Sequence, residues 1–293
     1  MKLLIVALDG LDMDHVMRWS LKGLLQEHWG RHHVGFLRYL YTPIIWSCFL
    51  TGLNVEEAGY DMSSLTDKRR REAFHPLLRP FYLLRRKLLP SGVSLHIRPL
   101  LTKLGLVNVY APSIMPEELR GRTFLEFLKA RGLKVEAIEV PGYNEHKNEF
   151  FRTILTRYAT ANLSKKKKIL DLCLAECERR LSLALELLSH RELDLLMVYF
   201  PIPDIAHHLF FRGIRELLLL HKAYWLAEGW VRKLKEVAGP GYACLVVSDH
   251  GFIRSERTHS DYGFWSLDVE PPFPPSKITD FFRLVVELVL SRP

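Results

Sequence analysis

Leu3-Leu4-Ile5-Val6-Ala7-Leu8-Asp9-Gly10, Tyr199-Phe200-Pro201-Ile202-Pro203-Asp204 and Leu245-Val246-Val247-Ser248-Asp249-His250 follow one pattern: apolar residues that end in a carboxylate or an imidazole. A short, continuous apolar run bounded by turn residues reads as a strand buried on both faces. The polar group at its end is then held by the strand and is a ready ligand for a cation. Helical periodicities separate the runs. Alternating strands and helices predict an α/β fold with a mostly parallel central sheet and helices on both faces. Ligands in such sheets bind beyond the carboxyl ends of the strands, which is where Asp9, Asp204, Asp249 and His250 fall.

Outward from these runs, period and punctuation predict strands at 2–8, 134–140, 194–200 and 243–248. Helices are expected at 12–28, after Pro43, at 121–131 up to Gly132, at 164–190, at 213–237 up to Gly239-Pro240-Gly241, and at 277–290. The stretch from 249 to Pro275 reads as a polar loop. Lys165–Lys168 reads as a solvated helix face. The expected organisation is an α/β core made of residues 1–60 and 119–293, with 61–118 as a basic insertion or cap broken by Pro80, Pro90, Pro99 and Pro112.

Of 293 residues, 48% are hydrophobic, enough for one large core. The net charge is +8, and residues 66–105 hold ten Lys/Arg against Asp67 and Glu72, so the basicity belongs to that one segment. Residues 74–90, FHPLLRPFYLLRRKLLP, mix leucines and aromatics with Arg79, Arg85, Arg86 and Lys87. That mixture suits an anionic membrane surface or an anionic substrate with an apolar tail, with nucleic acid as a weaker alternative. The apolar run before Asp9 is too short for a secretion signal, and no stretch nears the roughly 20 residues that span a bilayer. Cys48, Cys173, Cys177 and Cys244 form no C-x-x-C pair. A soluble protein of a reducing cytoplasm is the expectation.

Asp204 and His208 are four apart, so on a helix they share one face and can grip one cation. His259 lies close enough downstream of Asp249-His250 to join the group. Mixed imidazole and carboxylate ligands suit zinc, manganese or iron, and Asp204, His208 and His259 together would leave a coordination position open. The segment Thr42-Pro43-Ile44-Ile45-Trp46-Ser47-Cys48-Phe49-Leu50-Thr51-Gly52 starts a helix, with Thr42 at the cap and Pro43 in the first turn. Thr42 is either a plain cap or an alcohol that loses its proton beside a divalent cation, with free helix N–H groups to hold an anionic oxygen.

The order Asp9, T-P-I-I-W-S-C-F-L-T-G, V-P-G-Y at 140–143, P-D-I-A-H-H, V-V-S-D-H-G-F and His259 resembles the type I phosphodiesterase and nucleotide pyrophosphatase family of the alkaline phosphatase superfamily. The resemblance implies an alkaline-phosphatase-like fold and a phosphate-ester small-molecule substrate. It also implies two divalent metals, zinc before manganese or iron. Thr42, ten residues before Gly52, would be the nucleophile that forms a phospho-enzyme. Asp204, His208 and His259 would bind the first metal; Asp9, Asp249 and His250 would bind the second, which also contacts the Thr42 oxygen. The chain departs from the family at Ile44 and Ile45, where relatives commonly carry a Pro and some an Asn beside the nucleophile, and at Ala58-Gly59, where His-Gly is familiar. Neither Ser47 nor Cys48 has the C/S-x-P-x-R context of sulfatases. A phosphomonoesterase, or a weakened relative that binds an anionic surface, is the alternative. His207 is left open as a substrate contact, a supporting residue or a surface residue, and the oligomeric state is left open too.

Overall fold

The computed structural model describes residues 1–65, 113–158 and 160–291. Along the chain run β1 (Lys2–Leu8), α1 (Met13–Arg18), β2 (His28–His33), α2 (Thr42–Thr51), α3 (Glu117–Arg120), α4 (Phe124–Lys129) and β3 (Val135–Ile138). Then come α5 (Asn148–Tyr158), α6 (Leu163–His190), β4 (Leu195–Phe200), α7 (Asp204–Leu209) and α8 (Gly213–Ala238). The chain continues through β5 (Tyr242–Val247), β6 (Phe252–Ile253), β7 (Thr258–His259) and β8 (Tyr262–Leu267) to α9 (Asp280–Leu290).

Six strands form one sheet in the order β2-β8-β5-β1-β4-β3. β1 pairs in parallel with β4 and β5, and β3 in parallel with β4, while β8 runs antiparallel to β5 and β2. The sheet is therefore mostly parallel, as expected. Side chains alternate across it: Leu3, Ile5 and Ala7 join the layer of α2, α4 and α9, and Leu4, Val6 and Leu8 join the layer of α6 and α8. Each fully buried Leu or Ile contributes about 1.5–3 kcal/mol relative to exposure. A strand buried on both sides thus has no polar position to spare except at its end.

Register places the strand ends together. Leu8 sits opposite Phe200 and Ala7 opposite Val247. The Asp9 N–H donates to Phe200 O at 3.0 Å, and the Asp204 N–H to Asp9 O at 2.8 Å. Gly10 has φ +65°, and a Cβ there would lie 2.7 Å from Asp204 Cβ, so only glycine lets the two turns meet.

Several expectations need correction. The helix expected over 12–28 stops after Arg18, where Ser20 takes a left-handed φ of 52°, and residues 28–33 form an edge strand instead. The polar loop to Pro275 contains the buried strand β8 and the β6–β7 hairpin. The helix expected at 121–131 is the shorter α4, capped by Thr123 Oγ1, and the short α3 before it was not expected. α5 was not anticipated, and α9 begins at Asp280, whose carboxylate accepts the Ser276 and Lys277 N–H groups. Lys166 is not solvated: it is buried and pairs with Glu216 at 3.1 Å. Of the expected basic insertion, residues 66–112 lie outside the described residues, while Leu65 and Met115 on either side pack in the core layer of α2.

Candidate functional site

Each strand end presents its side chain to one spot at the carboxyl edge of the sheet. Asp9 follows β1, Asp249 and His250 follow β5, Asp204 and His208 lie on α7, and His259 lies on β7. Asp249 Oδ1 accepts the Gly10 N–H at 3.2 Å, which leaves Oδ2 turned to the centre. His250 Nε2 stands 3.5 Å from both Asp9 Oδ1 and Asp249 Oδ2. Asp204 Oδ1 stands 3.3 Å from His208 Nε2 and 3.6 Å from His259 Nε2, and those two imidazole nitrogens are 3.1 Å apart. The rings of His250 and His259 stack at 3.7 Å. Asp9, Asp204, His208, Asp249, His250 and His259 are thus brought to this place. Asp9, Asp249 and His250 form one close group and Asp204, His250 and His259 another, so His250 lies between the two.

The chemistry of the donors fits a cation. Asp9 Oδ1, Asp204 Oδ1, Asp249 Oδ2 and His250 Nε2 are buried and make no hydrogen bond of good geometry within the protein. Buried acceptors without a partner are costly, and several aimed at one point are compensated by a positive charge placed there. The carboxyls feel the same strain. Burial, then the charge of Asp9, hold the Asp249 carboxyl well above the usual range. Burial and the charge of Asp204 raise Asp9. For Asp204 burial is outweighed by His208, His259 and His250, and the carboxyl lies well below its ordinary value. Asp204 in turn raises His208, whereas burial and the neighbouring His250 pull His259 down to about 3.

Thr42 is buried and is the first residue of α2. The cap itself is Tyr41, which corrects the expected cap at Thr42, and no side chain closes that end. Free backbone donors are also scarcer than expected. Pro43 has no N–H, and those of Ile44 and Ile45 both donate to Tyr41 O, at 2.8 and 3.1 Å. His259 Nδ1 lies 2.9 Å from Leu40 O, which ties the hairpin that carries His259 to the residues leading into Thr42. On the other flank, a Cβ at Gly142 of the V-P-G-Y stretch would meet Ser47 Oγ at 2.5 Å and Pro43 O at 3.0 Å. α2 and that loop are therefore locked together.

A supporting layer escaped the sequence reading. Tyr199 donates a very short hydrogen bond to Asp9 Oδ2, and buried Arg180 donates to Tyr199 O at 3.0 Å. The Tyr224 hydroxyl accepts the Asp12 N–H at 2.9 Å and lies 2.8 Å from His207 Nε2, while Asp12 Oδ2 accepts the Phe252 N–H at 3.2 Å. One hydroxyl and one carboxylate thereby join the three segments that carry Asp9, Asp204 and His208, and His250. His207 is a buried supporting residue, not a surface one. A tyrosine inside a buried strand requires a hydrogen-bond partner, so Tyr199 carried a signal. Asp12 and Tyr224, far apart in sequence, carried none.

A six-stranded, mostly parallel sheet with a carboxylate and imidazole cluster at its carboxyl edge defines the alkaline-phosphatase-like fold. The solved structure of a 2-O GAG sulfatase superposes on it with a TM-score of 0.56 at 9% identity, covering 100% of this chain and 71% of that one. Within this class the chain belongs to the type I phosphodiesterase / nucleotide pyrophosphatase family, whose profile matches residues 3–263. Murine ectonucleotide pyrophosphatase / phosphodiesterase 5 is similar at 13% identity over 86% of this chain, with a TM-score of 0.42. The human form is similar at 14% identity, with a TM-score of 0.41 over 86% of this chain. This chain spans 57% of the length of each of these two proteins. A comparison with curated protein sequences returns no match.

Proposed function

We propose that the protein is a metal-dependent hydrolase of phosphoric esters, acting as a phosphodiesterase or nucleotide pyrophosphatase with Thr42 as nucleophile. The observation that carries this reading is the convergence of buried, unpartnered ligand atoms from Asp9, Asp204, Asp249 and His250 on one spot in a chain of this family. Asp204, His208 and His259 would hold one divalent ion and Asp9, Asp249 and His250 a second, zinc before manganese or iron. When bound, such ions neutralise phosphoryl oxygens as Lewis acids and lower the pKa of an adjacent hydroxyl.

The chain's own residues supply the rest. Thr42 Oγ1 attacks phosphorus in line, its new P–O bond forming as the bond to the leaving oxygen breaks; Thr42 gives up a proton and the departing alcohol gains one. Water then attacks the phosphothreonine, and the hydroxyl is restored as the phosphate product leaves. Because the first turn of α2 has few spare N–H groups, the phosphoryl oxygens depend on the clustered side chains more than on the helix end. Ile44 and Ile45 add none of the donors that an Asn would.

The site takes a small phosphate ester, and the basic insertion expected at 61–118 would select which one. All four cysteines are free and buried, which supports a reducing, cytoplasmic setting. Purified protein loaded with zinc or manganese is expected to hydrolyse bis-p-nitrophenyl phosphate faster than p-nitrophenyl phosphate or a phosphonate monoester. Faster monoester hydrolysis would make it a phosphomonoesterase. Inactivity on all three with stoichiometric bound metal would overturn the hydrolase reading in favour of a binding role.

A further inference from the structure

α8 packs on the sheet through Leu220, Ala223, Ala227 and Val231, yet its opposite face carries large apolar side chains in solvent. Ile214, Leu218 and Trp225 are 69%, 61% and 56% exposed. At helical spacing they project within about 40° of one another along a stripe roughly 16 Å long. His221 lies on the same stripe, with Trp19 edge-on to its ring at 4.8 Å. A single exposed leucine needs no explanation, but a continuous apolar stripe does.

On α8 the exposed charges flanking Ile214 and Leu218 are basic. Arg212, Arg215 and Lys222 are exposed. Glu216, the acidic residue between Arg212 and Trp225, is buried, with Lys166 Nζ at 3.1 Å and the Phe211 N–H at 2.9 Å. Two more arginines, with the exposed Glu256 between them in sequence, extend this border toward the site. Arg254 donates to Phe211 O at 3.5 Å, and the Arg257 guanidinium lies 4.2 Å from the Phe211 ring, on the hairpin that carries His259.

We propose that this face of α8 docks on an anionic lipid surface, with Ile214, Leu218 and Trp225 entering the headgroup–acyl boundary and Arg212, Arg215 and Lys222 meeting the lipid phosphates. A second copy of the chain is a poorer occupant. The stripe offers a few hundred Å², against the roughly 800 Å² per partner of a stable dimer, and a two-fold contact would set like charges against each other. Among the described residues no helix is long and apolar enough to cross a membrane. Docking brings the rim that holds His208 and His259 to the headgroup layer.

The test is cosedimentation of the full-length protein with vesicles of phosphatidylcholine alone and of equimolar phosphatidylcholine and phosphatidylglycerol. Binding to the second and not the first is expected, with a loss of about tenfold or more in the variant Ile214→Gln/Leu218→Gln/Trp225→Gln and in Arg215→Glu/Lys222→Glu. Circular dichroism and hydrolysis of a soluble diester should stay unchanged in both, which separates this proposal from the hydrolase reading. No binding by the parent protein overturns it, and so does undiminished binding by the triple variant. Loss of binding in Arg85→Glu/Arg86→Glu/Lys87→Glu alone would assign the contact to the basic segment. A dimer in light scattering that the triple variant dissociates would assign the face to a second copy.

Discussion

The two halves of the candidate site are built from different materials. Asp9, Asp249 and His250 sit at the ends of adjacent central strands, with Asp249 and His250 fully buried and Asp9 4% exposed. His208 and His259 come from a short helix and a two-stranded hairpin, and their side chains are 31% and 20% exposed. The inner group is buried and crowds two carboxyls together, which raises the pKa of both; the imidazoles of the outer group are open to whatever approaches. A site of this kind keeps its charge demand inside and its room for a substrate outside.

The largest test of that contrast is Thr42, the proposed nucleophile. Thr42→Ala should lower diester turnover by about 10³-fold or more with metal content unchanged, and equal activity in the purified variant would remove Thr42 from the chemistry. Next come the two groups themselves. Asp249→Asn relieves the repulsion with Asp9, so the metal-free protein should melt higher than the parent while losing the rise in melting temperature on adding zinc. His208→Gln should leave the metal-free melting temperature in place and weaken, without abolishing, the response to zinc. If both variants behave alike in calorimetry, the distinction between inner and outer groups fails.

Smaller effects probe the supporting layer. Tyr224→Phe leaves the Asp12 N–H and His207 without their shared partner and should cost about 1–3 kcal/mol in urea unfolding. The same change should weaken metal binding about 10–100-fold in a chelator competition; unaltered affinity would show that the shared hydroxyl does not position the ligands. The least effect is expected from Glu176, which accepts from Arg180 behind Tyr199. Despite burial, Arg179, Lys147 and Arg180 hold its carboxyl down to about 2, from an ordinary 4.5. Its contribution is present in full above pH 4.5 and is lost as the pH falls toward about 2, so Glu176→Gln should flatten the stability profile over that range and nowhere above it.

How much could be read beforehand differs between the same two regions. β1, β4, β5, α6 and α8 were legible because a strand buried on both faces or a long amphipathic helix writes its period into consecutive residues. Residues 28–33 and 262–267 were not. Their strands exist because β8 runs antiparallel beside β5 and gives β2 an edge to pair with, and HWGRHH has no period of its own to announce it. Lys166 misled for a similar reason, since only the approach of Glu216 from α8 makes burial of its ammonium affordable.

Thus the linear order of residues determined the alternation of strands and helices, the polar group at each strand end and the family to which the chain belongs, because these depend on neighbours along the chain. Tertiary structure alone decided that His250 stands between two ligand groups, that His259 is tied to the residues before Thr42, that Asp12, Tyr224 and His207 join three segments, and that α8 leaves an apolar stripe in solvent. Those facts depend on which residues the sheet's register and helix packing bring together or leave uncovered, and no one segment specifies that.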